Sequence, residues 1–419
     1  MSLGLFLGIA AISGRASAQD SKLDSLAKEV SLLKKQTSAF SNLKVSGYLQ
    51  AQYQYADTLG AKTFNGGNFG DELDNRIAVR RARLKFSYDL NFGSAAVQID
   101  ATEKGVSVKN AYLNLFSPKA KSISLTGGIF DRPFGYAVEY SSSSMEVVER
   151  PIMFQTLLPG EQEVGAMIAY KADNQSPLNG LIVKGGFFNG NGINADVDSF
   201  KDFIGKISYS GFSNDRIYLN LGTSIYYGNV YNPNATLFEM GKVNGIDAFV
   251  SRAAKVGERL KRQYVGFDVQ LSIKTPVGKT QFVSEYITGK QPGTSKSSKS
   301  PDYAKLPTDA SYLREFAGGY LTVIQQIKKF AVYGRYDWYD PNKKVKGNEV
   351  GIQGTGATAT NASDLRLTST SIGTFYEPNK NLRFTVQYDF NSFEKTSNGK
   401  FAVPGLENNV LTLRTQYKF

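Results

Sequence analysis

The 419-residue chain contains no cysteine and no histidine. Without cysteine there are no disulfide bonds, no thiolate zinc sites and no thiol nucleophile. Without histidine the chain lacks the commonest general base and the usual ligand of transition metals. Most familiar hydrolase mechanisms are therefore excluded, and we expect no catalytic residue, no metal site and no cofactor. Beyond the N-terminus no run of 18 or more apolar residues occurs, which argues against a transmembrane helix.

Glycine, aromatic residues and positive charge are abundant instead. The chain has 41 Gly, 24 Tyr and 27 Phe, and 49 Lys and Arg against 37 Asp and Glu give a net charge of +12. Its mean hydropathy is mildly polar, at −0.29. This composition is typical of a membrane β-barrel, because barrel strands expose only every second residue to lipid. The positive charge favours anionic partners.

The N-terminal residues 1–18 have the features of a secretory signal peptide. Leu3–Ile12 is a short apolar run, and Ala16-Ser17-Ala18 is a small-residue cleavage motif. The basic residues that normally precede such a run are missing, which favours a start further upstream. An exported chain without a compact basic domain is not expected to bind nucleic acid.

Residues 21–40 have the periodicity of a helix. An a/d seam of fewer than three heptads is formed by Leu23, Leu26, Val30, Leu33 and Phe40. A helix of roughly 20 residues is only marginally stable alone. Two interpretations of residues 19–44 therefore stay open: a single surface helix in the periplasm, or a short coiled coil between copies of the chain.

From Val45 to Phe419 apolar and polar residues alternate with the period of a β-strand. Each of these segments is long enough to span the greater part of a membrane as a tilted strand, which takes about 9–11 residues. The sixteen segments are 45–53, 77–88, 95–101, 106–115, 123–130, 164–170, 181–188, 203–210, 216–228, 262–274, 280–288, 314–325, 330–338, 364–376, 381–391 and 411–419.

The links between these segments alternate in length. Those after odd-numbered strands are mostly long, such as 131–163 and 229–261, whereas those after even-numbered strands are short, such as Asp89–Ser94 and Gly211–Asp215. Outer-membrane barrels have long external loops and short periplasmic turns, and an even strand count puts both termini in the periplasm. The sequence predicts an all-β fold, a 16-stranded antiparallel transmembrane β-barrel over residues 45–419 in the outer membrane of a Gram-negative-type envelope.

The same alternation assigns side chains to the two faces of the wall. In the strand from Arg262, Val265 and Phe267 should face lipid, and Tyr264 and Asp268 should face the lumen. A Lys or Arg facing lipid near the midplane costs about 2–4 kcal/mol, which supports an assignment that keeps charges inside. Because the inward set is polar, we expect a water-filled lumen, for which 16 strands are wide enough.

Several short stretches resemble the phosphate-selective porin O and P family. They are Arg80–Leu84 (R-R-A-R-L), Asn110–Leu113 (N-A-Y-L), Gly128–Gly135 (G-I-F-D-R-P-F-G), Glu149–Pro151 (E-R-P), and Phe188–Gly190 (F-N-G) followed by Asp202–Gly205. The resemblance is dense over residues 76–210 and diffuse afterwards. It implies a 16-stranded, commonly trimeric barrel whose third external loop folds inward and narrows the pore.

Two positions depart from that family's pattern. Family members often carry an arginine just before the strand that follows the constriction loop, whereas Glu161–Gly165 contains no basic residue. Lys206 stands where the family usually has arginine. Both changes argue against strict phosphate selectivity and leave the porin prediction in place.

The link 131–163 is the expected constriction loop, and taken alone it is acidic. For the adjacent Glu149 and Arg150 two roles stay open, an internal ion pair that fixes the loop and a contact with solutes. The charged residues proposed for the constriction are Arg132, Glu139, Glu146, Glu149 and Arg150.

Basic groups are expected on the barrel wall. Arg81, Arg83 and Lys85 alternate onto one face of the second strand, about 6.6–7 Å apart, whereas Arg80 breaks the alternation and is expected near the rim. The ladder either offers an anion successive weak sites, as conduction requires, or pairs with the acidic loop as a clamp. Other lumen charges are predicted at Lys206, Arg216, Arg262, Arg335, Arg383 and Arg414.

Three further segments carry predictions. The ending Tyr417-Lys418-Phe419 resembles the signal by which the barrel-assembly machinery recognises its clients. Residues 252–262 are expected to form a short basic helix. Lysines around the Ser-rich stretch 294–300 suit attraction to anionic solutes or to lipopolysaccharide phosphates.

The sequence as a whole predicts a passive porin without enzymatic activity. It would admit small hydrophilic solutes with a preference for anions, phosphate among them, and its expected partners are the lipid bilayer, lipopolysaccharide and further copies in a homotrimer. The alternative is a non-transport structural or adhesion barrel that is tethered through the N-terminal helix.

Overall fold

The computed structural model describes residues 25–33, 40–118, 122–351, 358–396 and 408–419. The helices among them are α1 (25–33), α2 (Ile152–Leu157) and the 3₁₀ turns Gly347–Glu349 and Ala362–Asp364. The strands are β1 Leu43–Ala56, β2 Asn75–Leu90, β3 Gly93–Thr102, β4 Gly105–Phe116, β5 Ile123–Asp131, β6 Gln162–Lys171, β7 Leu181–Phe188, β8 Asp202–Ser213, β9 Ile217–Tyr231, β10 Thr236–Val243, β11 Ile246–Ala253, β12 Arg259–Thr275, β13 Gly278–Gly293, β14 Ser311–Ile327, β15 Phe330–Asp340, β16 Leu367–Tyr376, β17 Leu382–Phe393 and β18 Val410–Lys418.

All of these strands except β10 and β11 form one closed antiparallel barrel. Each barrel strand pairs with the next along the chain, β9 pairs with β12, and β1 pairs with β18 to close the ring. The predicted 16-stranded fold is confirmed. Within the described residues, no helix is long and apolar enough to cross a bilayer.

The strands β10 and β11 form a hairpin in the long link between β9 and β12. The turn residues Asn244 and Gly245 both have positive φ, 54° and 81°, the backbone that an Asn-Gly hairpin turn adopts. The start of β10 also pairs in parallel with the start of β14. The predicted helix over 252–262 is wrong, because the hairpin ends at Ala253 and β12 begins at Arg259.

The predicted faces of the wall are confirmed. In β12, Val265 and Phe267 are exposed on the outer side, while Tyr264 and Asp268 are buried inside. In β17, the inward Thr385, Gln387 and Asp389 are buried, whereas Phe384, Val386 and Phe390 are exposed on the outer side. The links at the end that holds Leu43 and Phe419 are mostly short, so this end is the periplasmic one.

Of the two predicted N-terminal segments, the structure describes part of one. Helix α1 lies within the predicted helix 21–40. The signal peptide 1–18 and the remaining residues up to 39 lie outside the described residues, so the cleavage site and the self-association of the helix stay predictions.

The seam between β1 and β18 ends at the last residue of the chain. The Gly47 amide donates to the Phe419 carbonyl (3.1 Å), and the Phe419 amide donates to the Gly47 carbonyl (3.0 Å). The Phe419 ring lies directly over Gly47, since a Cβ there would meet its Cζ at 2.7 Å. The last residue therefore supplies hydrogen bonds that help to close the barrel.

Deleting Phe419 is expected to lower the yield of assembled barrel several-fold, because the closing seam loses both bonds. The amount of heat-modifiable protein in outer-membrane fractions measures this. Phe419→Tyr is the matched control, since it keeps the backbone and the aromatic ring. Equal yields of the deletion variant and the intact chain would contradict the expectation.

Candidate functional site

The link between β5 and β6 crosses the interior of the barrel. Its backbone amides reach acceptors on distant strands: Val148 donates to the Gln387 side chain (2.9 Å) and Ile152 to Asp337 (2.8 Å). At its start, the amides of Tyr136 and Ala137 donate to Glu285 (2.6 and 2.8 Å). An irregular segment needs such partners for its buried amides. Inward side chains of β13, β15 and β17 thus hold the loop inside.

One side of the loop is apolar. Met153, Phe154 and Leu157 of α2 are buried in a cluster with Phe134 and with inward residues of β5 and β7–β15. The expectation that the inward set is polar is therefore wrong for this side of the loop. The inward wall residues of this cluster are Phe130, Phe188, Ile204, Tyr226, Tyr264, Val283, Ile287, Phe316, Tyr320 and Tyr339. The loop is attached to this half of the barrel by apolar packing.

Gly135 permits this attachment. Its φ is +64°, and an added Cβ would lie 2.4 Å from Oε2 of Glu285 and 2.9 Å from Cζ of Phe154. Only glycine combines the left-handed backbone with such close contacts. Steric crowding and a left-handed backbone thus explain why glycine ends the Gly128–Gly135 stretch.

The other side of the loop is held by charge. The buried carboxylate of Glu149 binds Arg80 (2.7 Å), Arg81 (2.8 Å) and Arg414 (2.7 Å). Its backbone carbonyl also accepts from Arg335 (2.6 Å). One residue thus joins three strands to the loop, β2 and β18 through its carboxylate and β15 through its backbone carbonyl. We call Glu149, Arg80, Arg81 and Arg414 the arginine clamp.

Arg80 reaches the clamp because β2 contains a β-bulge. Gln50 pairs with Arg81 and Ala51 with Val79, so Arg80 is the extra, unpaired residue. The bulge turns Arg80 inward beside Arg81. The expected position of Arg80 near the rim is therefore wrong.

Most of the remaining charges of the loop are paired as well. Arg150 binds Glu161 (2.9 Å), and Arg132 binds Glu163 (2.6 Å). Glu139 binds Lys184 and Lys206, the latter at 2.9 Å. The predicted internal ion pair between Glu149 and Arg150 is wrong, because the two side chains bind different partners.

Several loop carboxylates have shifted pKa values. Burial alone would raise the pKa of Glu149, but Arg80, Arg81 and Arg414 outweigh it and hold the pKa well below the usual range. Arg150 likewise lowers the pKa of Glu161 against the effect of burial. Glu146, which accepts from the Tyr140 hydroxyl (3.1 Å), has a pKa raised by burial. Glu149 and Glu161 are therefore ionised at neutral pH.

The ladder residues of β2 have different surroundings. Arg81 belongs to the clamp, and Arg83 binds Asp100 (3.0 Å) and Ser142 (3.1 Å). Lys85 is half-buried and makes no ion pair with any described residue. The second interpretation of the ladder, pairing with the acidic loop, thus describes Arg81, whereas Lys85 has an uncompensated charge.

Two cavities lie along the wall of β1–β4. The inner cavity, about 290 Å³, is lined by residues near the periplasmic end such as Ser46, together with Arg83 and Lys85. The outer cavity, about 250 Å³, extends to the β3–β4 turn and includes Asp100. Because Arg83 lines one cavity and Asp100 the other, their ion pair lies between them.

The other predicted lumen charges are mostly buried in pairs. Arg262 binds Asp202 and donates to the Gly190 carbonyl (2.5 Å). Arg383 binds Glu377 (2.7 Å) and the Met145 carbonyl (2.7 Å). The predicted position of Arg216 is wrong, because this exposed residue lies in the turn before β9. That turn sits at the periplasmic end, outside the strand wall.

Sequence reasoning missed several residues of the site. Arg76, Lys104 and Lys109 line the outer cavity. Lys109 is the extra residue of a second bulge, since Gln98 pairs with Asn110 and Ile99 with Val108. In both strands two adjacent polar residues, Arg80-Arg81 and Lys109-Asn110, break the alternation at the bulge.

These features define a 16-stranded membrane barrel with an inward-folded, charge-clamped loop. No protein-family model and no curated protein matches the chain. Among solved structures it is similar to OmpF of Salmonella typhi (14% identity, TM-score 0.52, covering 90% of this chain and 97% of that one). It is also similar to the outer membrane channel DcaP of Acinetobacter baumannii (13%, 0.51, 90% and 97%) and to an anion-selective porin from Comamonas acidovorans (12%, 0.50, 90% and 99%).

At such identities the likeness concerns the fold alone. A closed antiparallel barrel of 16 strands with an apolar outer face belongs in the outer membrane. The predicted localisation is thereby confirmed.

Proposed function

We propose that the chain is a passive outer-membrane porin that conducts small hydrophilic solutes with a preference for anions. The observation that carries this proposal is the charge of the two cavities. Each is lined by four basic and two acidic side chains. The basic residues are Arg76, Arg80, Lys104 and Lys109 in the outer cavity, and Arg83, Lys85, Arg150 and Lys418 in the inner one.

The proposed path runs beside β1–β4 rather than through the middle of the barrel. Apolar packing of the loop fills the half of the barrel that faces β7–β15. The arginine clamp fills the space between Glu149 and the strands β2 and β18. The outer cavity, the Arg83–Asp100 pair and the inner cavity then follow one another from the external to the periplasmic end. Successive basic groups provide weak sites between which an anion can move.

Phosphate is one candidate solute, through the resemblance to the phosphate-selective porin O and P family. Lys206 and the segment Glu161–Gly165 argue against strict selectivity, since Lys206 is engaged by Glu139 (2.9 Å) and Glu161 by Arg150. A general anion preference is therefore the function that we favour. The same resemblance supports a homotrimer. The absence of His and Cys supports a role without catalysis.

Recording in planar bilayers tests this proposal. In a salt gradient the purified protein should give steady conductance steps, with a reversal potential displaced toward that of the anion. Added phosphate should reduce the chloride current if it occupies the same path. A protein that inserts but stays silent would support the alternative, a structural or adhesion barrel.

A further inference from the structure

A basic cleft lies at the external end of the barrel, away from both cavities of the proposed path. It has a volume of about 390 Å³ and lies between the hairpin β10–β11 and the external ends of β12, β13 and β14. Six basic side chains line it, together with three acidic ones: Arg252, Arg259, Lys261, Lys290, Arg314 and Lys344, with Glu239, Glu258 and Glu315.

Two of these lysines lie on the outer face of the wall. Lys261 lies four residues before Val265 in β12, and Lys290 lies four residues after Tyr286 in β13, so each shares the face of its reference residue. Val265 and Tyr286 are exposed on the lipid side. At about 3.3 Å per residue, each lysine lies on the order of 13 Å further out along its strand.

An aromatic pair marks the membrane boundary just below the cleft. Tyr286 lies 6.3 Å from Trp338, the one tryptophan of the chain, measured between ring centroids. Tyrosine and tryptophan side chains concentrate at the level of lipid headgroups. Lys290 and Lys261 therefore reach the layer of headgroup phosphates.

Positive charge in the cleft exceeds what its carboxylates neutralise. Arg252 binds both Glu239 (2.8 Å) and Glu258 (2.7 Å). Glu315 has only long contacts, 3.6 Å to Lys344 and 4.0 Å to Lys343. In the described part of the chain, no carboxylate pairs with Lys261 or Lys290, and both side chains are exposed. An external anion would complete the cleft.

We propose that the cleft binds the phosphorylated headgroup of an outer-leaflet glycolipid. Lys261 and Lys290 would hold a phosphate, as ammonium groups near a membrane surface attract anionic lipid. The acyl chains would lie along the apolar outer face below, against Val265, Phe267 and Tyr286. The site requires only that the barrel is in the membrane, and it does not depend on conduction.

Binding of lipid A, a disaccharide lipid with two phosphates, to the detergent-purified full chain tests the site. The double substitution Lys261→Gln with Lys290→Gln should weaken binding roughly tenfold or more. Lys328→Gln with Lys329→Gln is the matched control, since it removes the same charge from exposed lysines in the periplasmic turn between β14 and β15, away from the cleft. It should bind like the unmodified protein. Lys261→Arg with Lys290→Arg should retain binding.

Two further ligands separate the possible sources of binding. Phosphatidylcholine should bind much more weakly than lipid A, and inorganic phosphate should neither bind tightly nor displace lipid A. Equal binding of phosphatidylcholine, or tight binding of inorganic phosphate alone, would overturn the proposal. So would full retention of lipid A by the double Gln variant. The conductance of the double Gln variant should stay unchanged. Failure of the glycolipid proposal is therefore distinct from failure of the porin proposal.

Discussion

Replacing Glu149 with glutamine is expected to increase anion preference and to destabilise the barrel. Glutamine keeps the size of the side chain but removes the negative charge that Arg80, Arg81 and Arg414 share. Removing one partner of a buried ion pair costs about 3–5 kcal/mol, because the remaining charge stays buried without compensation. The three guanidinium groups would then repel one another and release the loop from β2 and β18.

Three measurements follow this change. The reversal potential in a salt gradient should move further toward the anion, and the single-channel conductance should rise as the loop is released. The temperature at which the barrel unfolds in detergent should fall. Glu72→Gln is the matched control, because it removes the same charge from an exposed residue of an external loop. If both substitutions left all three quantities unchanged, the arginine clamp would have no role in holding the constriction.

The architecture of the barrel could be predicted because alternation is a strictly local signal. In β12, the sequence from Arg262 alternates in step with the burial of each side chain, so a single strand is enough to assign the face. The alternating lengths of the links supported the count of 16 strands and indicated which end of the barrel is periplasmic. The hairpin β10–β11 was not predicted, because its residues were interpreted as part of one long loop, although Asn244-Gly245 is itself a turn signal.

The site was harder to predict, because alternation fails at bulges. Arg80 and Lys109 are each the extra residue of a bulge. The bulges depend on how β2 and β4 pair with their neighbours, which a single strand does not show. None of the four cations that line the outer cavity was in the predicted set, and the bulges account for two of them, Arg80 and Lys109.

Pairing of charges could not be predicted either. Glu149 is adjacent to Arg150 in sequence, yet it binds Arg414, which is 265 positions away. Arg150 binds Glu161 instead. Which lumen cations remain available to a solute thus depends on long-range contacts. Net charge indicates anion preference, but only the folded barrel separates a neutralised cation such as Arg81 from Lys85.

Replacing Lys85 with glutamate is expected to abolish the anion preference of the inner cavity. Lys85 lies opposite Ser46 on β1 and Gln98 on β3, and neither neighbour compensates its charge. The substitution would change the cavity lining from four basic and two acidic side chains to three of each. Two unit charges 4 Å apart in water interact by about 1 kcal/mol. We therefore expect the anion-to-cation permeability ratio to fall roughly fivefold or more.

The reversal potential in a salt gradient measures this ratio directly. Lys305→Glu serves as the control, because it makes the same charge change on an exposed residue outside both cavities. Lys85→Gln should give an intermediate ratio, which separates the effect of charge from that of shape. An unchanged ratio in Lys85→Glu would mean that ions do not pass through the inner cavity. The path would then have to lie elsewhere than beside β1–β4, since Lys85 is the ladder cation that no described carboxylate neutralises.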